Sequence, residues 1–344
     1  MSPAAADIVV PPALRERVKT LMRPNPAIYW TDFLLSVAGA WAGFGLLFFS
    51  PTGSLAGVAG FALAVLLFYR SLLFAHEIVH LRRGTLTGFE ATWNLLCGYF
   101  MFLPTMLYRG VHNDHHNVAT YGTVRDPEYV PLAGQRLRIV ASVARDLVLP
   151  LLLFTRFALL SPLGWVSPRF RRVLHERYSA LSFNPDYRRR LGPGDSGRLV
   201  RQEVATFFAW WGMIAAAAHF GTLAKALGCF LAIQTTMSLA NIIRTLASHK
   251  YGNHPRATVD RDTQLMDSID LPGGWLTELW APVGMRFHAL HHFLPGIPYH
   301  NLATLHRELL LHLPRDSRYR ASQESGLRRA LASLWSAPAV AGRA

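Results

Sequence analysis

Histidines in three short clusters are the residues of this chain best suited to chemistry. The clusters have the sequences HEIVH, HNDHH and HALHH, and each lies just outside an apolar stretch. Residues three and four apart share one face of a helix, so the imidazoles of each cluster can point the same way. The clustered histidines are His76, His80, His112, His115, His116, His288, His291 and His292.

This spacing favours the binding of transition metal. Imidazole is a ligand for iron, zinc, copper and nickel. A structural zinc site closes with four ligands and a catalytic one usually takes three from the protein, so the clusters hold more ligands than one zinc ion uses. They approach what two six-coordinate ions with some open positions would use. Iron combines such ligation with dioxygen chemistry, and the spacing alone leaves other metals open.

The apolar residues that must position these clusters are concentrated in runs. Of the 344 residues, 51% are hydrophobic and 16% are charged, which is a low charge content for a soluble protein. Runs at 33–50 and 55–74 are joined by the uncharged turn PTGSL, and runs at 205–220 and 226–243 follow. Both pairs predict membrane hairpins. The weaker segments 93–107 and 147–160, which contain Pro104 and Arg156, are predicted to be interfacial or re-entrant.

We therefore expect an all-α polytopic membrane protein, with four transmembrane helices in two hairpins, interfacial helices and a cytoplasmic helical cap. The expected divisions are a basic N-terminal segment at 1–28, a membrane domain at 29–314 and a basic C-terminal tail at 315–344, which includes an amphipathic element near 327–335. Asp114 and Asp126 lie in the segment between the hairpins. Both are candidates to accept hydrogen bonds from the N–H groups of ligating imidazoles.

The distribution of positive charge predicts the orientation. The formal net charge is +14, and basic residues avoid both hairpin turns. They crowd the N-terminal segment, Arg82 and Arg83, the run 169–201 and the tail. The positive-inside rule then places both termini and all three clusters in the cytoplasm, in what we expect to be a bacterial inner membrane. Contact with anionic lipid is the expected role of this charge, and no nucleic-acid partner is expected.

Helix length adds a ninth candidate ligand. At 1.5 Å per residue, 55–76 covers roughly 32 Å and 223–249 roughly 39 Å, so His249 emerges on the same side as His76. Thr245 and Asn241 lie one and two turns before His249 on the same face. They could hold a water or orient a ligand.

Three boxes of the form HxxxH, HxxHH and HxxHH around two hairpins resemble the membrane fatty acid desaturase and hydroxylase superfamily, over about 30–314. HALHHFLPGIPYHNL resembles the third box with its trailing prolines and Asn301, and RTLASHKYGN resembles the region of an extra histidine. The HxxxH form, and Thr245 where animal acyl-CoA desaturases have asparagine, favour the bacterial and plant-like members. The resemblance implies two irons held by His76, His80, His112, His115, His116, His249, His288, His291 and His292.

The reaction implied by the resemblance is dioxygen-dependent desaturation of a fatty acyl chain. Hydroxylation or ketolation of a lipid or carotenoid is the alternative, and the acyl carrier, the chain length and the double-bond position stay open. Because the sequence carries no flavin, nicotinamide or iron–sulfur motif, we expect electrons from a separate ferredoxin or small haem protein. Such carriers are commonly acidic, and basic residues would attract them. These residues are Arg169, Arg171, Arg172, Arg188, Arg189 and Arg190.

Two other functions are disfavoured. HEIVH matches the HExxH pattern of zinc proteases with Glu77 as the base, but the other two clusters would then have no role. A metal transporter would place its ligands near the bilayer midplane, whereas these lie at one surface. Six histidines lie outside the predicted ligand set. His300 and His306 are expected to lie close to the ligands or at the surface. The other four are expected to be structural or exposed: His175, His219, His254 and His312.

Overall fold

The computed structural model describes residues 10–82 and 84–339, so Arg83 and both chain ends lie outside the described residues. Within those ranges the chain is helical, and its β-type pairing consists of three isolated bridges. The α-helices are α1 (Arg15–Leu21), α2 (Pro26–Phe49), α3 (Leu55–His80), α4 (Phe89–Trp93), α5 (His112–His116), α6 (Arg136–Phe154), α7 (Ser161–Val166), α8 (Pro168–Arg177), α9 (Asp195–His219), α10 (Leu223–Leu246), α11 (Arg261–Asp267), α12 (Thr277–Trp280), α13 (His288–Phe293), α14 (Tyr299–His312), α15 (Arg318–Ala321) and α16 (Leu327–Ser336). Short 3-10 turns lie at Pro12–Leu14 and Thr105–Leu107, and π-helical segments at Asn94–Gly98 and Thr155–Leu160.

The first predicted hairpin is formed by α2 and α3, which pack along each other. Asn25 caps α2 through the amide of Ala27, and Ser54 caps α3 through the amide of Gly57. A Cβ atom added at Gly60 would lie 2.5 Å from the backbone nitrogen of Leu47. Glycine therefore allows the two backbones to approach closely, as in other packed membrane helices.

Four helices of the described chain are long and apolar enough to cross a membrane. They are Pro26–Phe49, Leu55–His80, Arg136–Val166 and Leu223–Leu246. The number agrees with the prediction, and three of the four contain predicted runs. The segment 147–160, predicted to be interfacial or re-entrant, lies in the continuous apolar helix formed by α6, Thr155–Leu160 and α7, which is long enough to cross a membrane. Arg156 is buried and paired with Glu203 of α9, so its charge is compensated within the protein.

The remaining predicted arm, 205–220, lies in α9. This helix has 25 residues, but charged side chains occupy four of its first nine positions, so it is less apolar than the other four. Its turn to α10 lies at the same end of the molecule as the α2–α3 turn, since Lys225 Nζ donates to the carbonyl oxygen of Ser50 at 3.0 Å. Helix α10 packs more extensively against α6 than against α9. The main neighbour of α10 is therefore α6 and not the other arm of the predicted second hairpin.

The segment 93–107 enters the bundle as short helical pieces. Its Phe100 carbonyl accepts hydrogen bonds from Trp210 Nε1 of α9, at 3.0 Å, and from Gln234 Nε2 of α10, at 3.4 Å. Gln234 lies twelve residues before the end of α10, so Phe100 is well inside the bundle. The segment then returns to the second histidine cluster at α5.

A helical cap covers the other end of the bundle and fixes the third cluster. Leu14 and Val18 of the N-terminal region pack with Leu302 and Leu305 of α14. Beneath α13, the buried carboxylate of Asp270 accepts hydrogen bonds from the Leu290 amide at 3.1 Å and from Tyr319 Oη at 2.9 Å. Burial raises the pKa of Asp270 to about 7.

The two ends of the bundle should differ in their access from outside the cell. In a variant without the native Cys97 and Cys229, a cysteine replacing the exposed Thr52 should react with an impermeant maleimide on intact cells. A cysteine replacing the exposed Pro193, before α9, should react only after lysis, because the positive-inside rule puts this basic region in the cytoplasm. Labelling of position 193 on intact cells would overturn the expected orientation.

Candidate metal centre

All nine predicted ligands meet at the capped end of the bundle. His76 and His80 lie on the last turn of α3, the second cluster is α5 itself, His249 follows α10, and the third cluster is on α13. They form two groups, in each of which the candidate ligand atoms all lie within 4.8 Å of one another. The first group is His76, His80, His112, His116 and His291; the second is His115, His249, His288 and His292.

The distances between imidazoles fit metal ions. In the first group, His291 Nε2 lies 3.1 Å from the Nε2 atoms of both His80 and His116. In the second group, His288 Nε2 lies 2.8 Å from that of His249 and 3.2 Å from that of His292. Two imidazoles bound at a right angle to an ion, each at about 2.1 Å, have their nitrogens about 3.0 Å apart.

Burial leaves these imidazoles in the protonation state that binds metal. It lowers the pKa of six ligands outside the membrane helices well below the ordinary value, so their lone pairs are free. Both ring nitrogens of His76 are buried without a hydrogen-bond partner, a rare state that a metal ion would relieve at one nitrogen. The chemistry of the donor set therefore fits two cations.

Carboxylates bind two of the imidazole rings at the nitrogen that faces away from the groups. Asp126 lies 2.9 Å from His115 Nδ1, as the sequence predicted. Burial would lower the pKa of His115, but the charge of Asp126 raises it overall. Glu128 lies 2.6 Å from His112 Nδ1 and also accepts from Tyr108 Oη at 3.0 Å. Such partners orient the ring and increase its basicity.

Two further rings are held through residues that the sequence did not suggest. Tyr121 Oη lies 2.9 Å from His249 Nδ1 and donates to Asp267 at 2.7 Å. Gln264 Nε2 lies 3.2 Å from His292 Nδ1. Glu128 is an acid two positions after Asp126, which is a local signal, but Tyr121, Asp267 and Gln264 meet their rings only through long-range folding. No local pattern signals them.

Four predicted neighbours of the ligands lie elsewhere. Asp114 accepts a hydrogen bond from Tyr187 Oη at 2.9 Å, because on α5 it points away from the imidazoles. Asn241 and Thr245 bind the guanidinium of Arg244, at 3.0 and 2.9 Å, and face a cavity. Asn301 donates to the Leu21 carbonyl at 2.7 Å and so joins α14 to α1. These residues do not orient a candidate ligand.

Removing the charge of Asp126 should weaken the second group selectively. We expect Asp126→Asn to lower metal affinity and activity by roughly 10- to 100-fold, the usual effect of losing a carboxylate behind a ligating histidine. Metal content after dialysis against a chelator measures this. Asp114→Asn, on the neighbouring helix α5, is the matched control and should stay near wild type. Equal losses in both variants would contradict the assignment of Asp126.

An apolar cavity of about 300 Å³ leads to the first group. Its walls come from α3, α6 and α10 and include Leu72, Leu73, Leu149, Leu153 and Met237. His76 also lines it. A hydrocarbon chain in this cavity would therefore lie beside a candidate metal ligand.

Glu77 does not have the position of a protease base. Its carboxylate accepts hydrogen bonds from Tyr29 Oη at 2.5 Å and from the Tyr299 amide at 3.1 Å, so it joins α3 to α2 and α14. Among the histidines outside the groups, His175 is buried 3.2 Å from Ser196 Oγ, and His306 is 2.6 Å from Tyr319 Oη. His300 accepts from the Asn25 amide, and His219, His254 and His312 lie in neither group.

Comparison with known proteins agrees with this centre. Residues 52–323 match the family model described as fatty acid desaturase. The chain belongs to the fatty acid desaturase family. It is also 38% identical over 343 residues to a ceramide hydroxylase of Caulobacter vibrioides (strain NA1000 / CB15N), and the alignment covers 97% of this chain and 95% of that protein. The resemblance inferred from the boxes is confirmed, and the family and this relative indicate an oxidoreductase.

Proposed function

We propose that this protein is a dioxygen-dependent lipid hydroxylase with two iron ions, acting on a hydrocarbon chain of ceramide or a similar N-acyl lipid. The observation that carries the proposal is the apolar cavity lined by His76, a member of the first of the two groups of imidazoles. The likeness to a ceramide hydroxylase over nearly the whole of both chains supports hydroxylation and the class of lipid.

In this proposal the five-histidine group and the four-histidine group each hold one iron. Bound iron would supply the activation of dioxygen and the removal of hydrogen from an unactivated carbon, chemistry that side chains do not perform alone. The protein's residues do the rest. Leu72, Leu149 and Met237 hold the chain and exclude water, while Asp126 and Glu128 fix the rings of His115 and His112.

Desaturation is the second candidate, because it is the reaction for which the matched family is named. Both reactions begin with loss of one hydrogen from the chain. Hydroxylation then adds oxygen to the same carbon, whereas desaturation removes hydrogen from the neighbouring carbon. The difference depends on small shifts of the chain relative to the metal.

The test is lipid analysis of cells that express the chain and are supplied with ceramide and isotopically labelled dioxygen. Our proposal expects a ceramide that is one oxygen atom heavier and carries the label. A product that has lost two hydrogen atoms and gained no oxygen would identify a desaturase instead. His291→Ala is the matched control and should give neither product, and ceramide left unchanged by the wild type would refute the proposed substrate.

We further propose that the electron donor docks on the basic surface near the site, on the cytoplasmic side of the inner membrane. Arg169, Arg172, Arg188 and Arg190 are exposed, and Arg171 is half-buried. Arg189 is a correction to the predicted set: it is buried and donates to the carbonyls of Met106, Ser179 and Arg109, so it fixes the chain before α5. Only the other five can attract an acidic partner.

A further inference from the structure

A polar stripe on α10 faces the apolar cavity. Its members Gln234, Ser238, Asn241 and Thr245 follow one another at intervals of four, three and four residues and all line the cavity. This periodicity puts them on one face of the helix. The stripe therefore places polar atoms on this wall of the cavity, where they can meet the polar part of a ligand.

Arg244 is the charged member of this wall. It is 9% exposed, and none of the described carboxylates lies within ion-pair distance of it. One terminal nitrogen donates to Asn241 Oδ1 at 3.0 Å and to Thr245 Oγ1 at 2.9 Å, and the other lies 3.5 Å from Ser248 Oγ and 3.6 Å from Met285 Sδ. Its Nε is buried without a partner. A buried guanidinium normally has a carboxylate partner or a ligand.

The neighbours of Arg244 indicate the charge of that ligand. Glu128 and Asp146 line the same cavity and, with Arg145 also in its wall, they balance the charge of Arg244, so an anionic group would meet no net attraction there and repulsion from the two carboxylates at close range. Asp146 is already paired with Arg145 at 2.6 Å, and Glu128 is bound to His112 and Tyr108. A neutral oxygen such as an amide carbonyl or a hydroxyl can accept a hydrogen bond from the guanidinium without that repulsion.

We infer that Arg244, held by Asn241 and Thr245, binds a neutral oxygen acceptor of the substrate lipid and thereby sets which carbon lies beside His76. This inference rests on the proposed function, because it assigns the amide carbonyl or a hydroxyl of a ceramide-like lipid to Arg244. In this arrangement the polar stripe contacts the oxygen-bearing part of the lipid, and the apolar wall opposite contacts its hydrocarbon chain. Arg244 is a specificity-determining residue in this arrangement.

Binding of radiolabelled lipid to the purified full-length protein, without dioxygen or an electron donor, tests the inference apart from turnover. The ligands are ceramide, analogues that lack one hydroxyl or carry a methylene in place of the amide carbonyl, and a free fatty acid of equal chain length. We expect the wild type to bind ceramide roughly 10- to 100-fold more tightly than the one analogue that lacks the oxygen bound by Arg244. This is the range for a hydrogen bond to a charged group. The fatty acid should bind less tightly than ceramide.

Arg244→Met should bind ceramide and that analogue equally, and Arg244→Lys should recover part of the difference. Thr236→Val, a substitution on α10 outside the cavity, should behave as the wild type. Iron content checks that each variant is folded. Equal binding of all lipids by the wild type, an equal loss for every lipid in Arg244→Met, or tighter binding of the fatty acid would overturn the inference. Discrimination by Arg244 without any ceramide product under reducing, aerobic conditions would instead refute the proposed function.

Discussion

Replacing His115 or His291 with alanine is expected to abolish lipid oxidation and to lower the iron content of the purified protein. The two substitutions remove one candidate ligand from each group: His291 from the group of five and His115 from the group of four. Losing a directly bound ligand should exceed the roughly 10- to 100-fold loss that follows removal of a supporting partner. Metal analysis and product formation measure the two effects.

The two variants should differ in their metal content. His115→Ala leaves three imidazoles in its group, whereas His291→Ala leaves four, so His115→Ala should lose its ion more completely. His219→Ala is the control: this exposed residue at the far end of α9 belongs to neither group and should be nearly neutral. Wild-type iron content together with wild-type activity in either ligand variant would refute the assignment of that group as a metal site.

The histidines that the boxes predicted as ligands all lie in the two groups, but their spacing did not predict how they divide between them. Each pair four residues apart stays in one group: His76 with His80, His112 with His116, and His288 with His292. The third member of each HxxHH box joins the other group, so His115 and His291 cross over. Adjacent helical residues diverge by about 100°, so neighbouring histidines face different groups. The sequence pattern gives spacings of three and four the same meaning, and the structure separates them.

Hydropathy predicted where α2, α3 and α10 lie because each is a long run without a charge in its centre. For the helix 136–166 it indicated only the short segment 147–160, because Arg156 interrupts the apolar run and its partner Glu203 is not evident from the local sequence. That partner lies 47 positions away in the chain. The same limit explains why Asp126 was found as a neighbour of the second box, while Asp267 was not. Local patterns predict elements and ligands, and partners that are distant in sequence require the fold.

Product formation is expected to require both dioxygen and an added electron donor. Hydroxylation of an unactivated carbon by dioxygen places one oxygen atom in the product and reduces the other to water, which takes two electrons that the substrate does not supply. The described cysteines, Cys97 and Cys229, are separate and lie in helical segments, so they do not form an iron–sulfur site. We therefore propose that a separate carrier delivers the electrons.

Purified protein given ceramide, a reductase and a ferredoxin or small haem protein should form product, and omission of any one component or of dioxygen should reduce it to background. Turnover at limiting donor should fall as salt is raised, because the exposed arginines attract an acidic donor through long-range charge. Replacing Arg188 and Arg190 with glutamine should weaken this salt dependence, whereas replacing Arg315 and Arg328 of the C-terminal tail with glutamine removes the same charge elsewhere and is the matched control. Product formed without dioxygen or any donor would refute the reaction. Turnover that is indifferent to salt in every variant would refute only the docking surface, because electron delivery itself needs no charge complementarity.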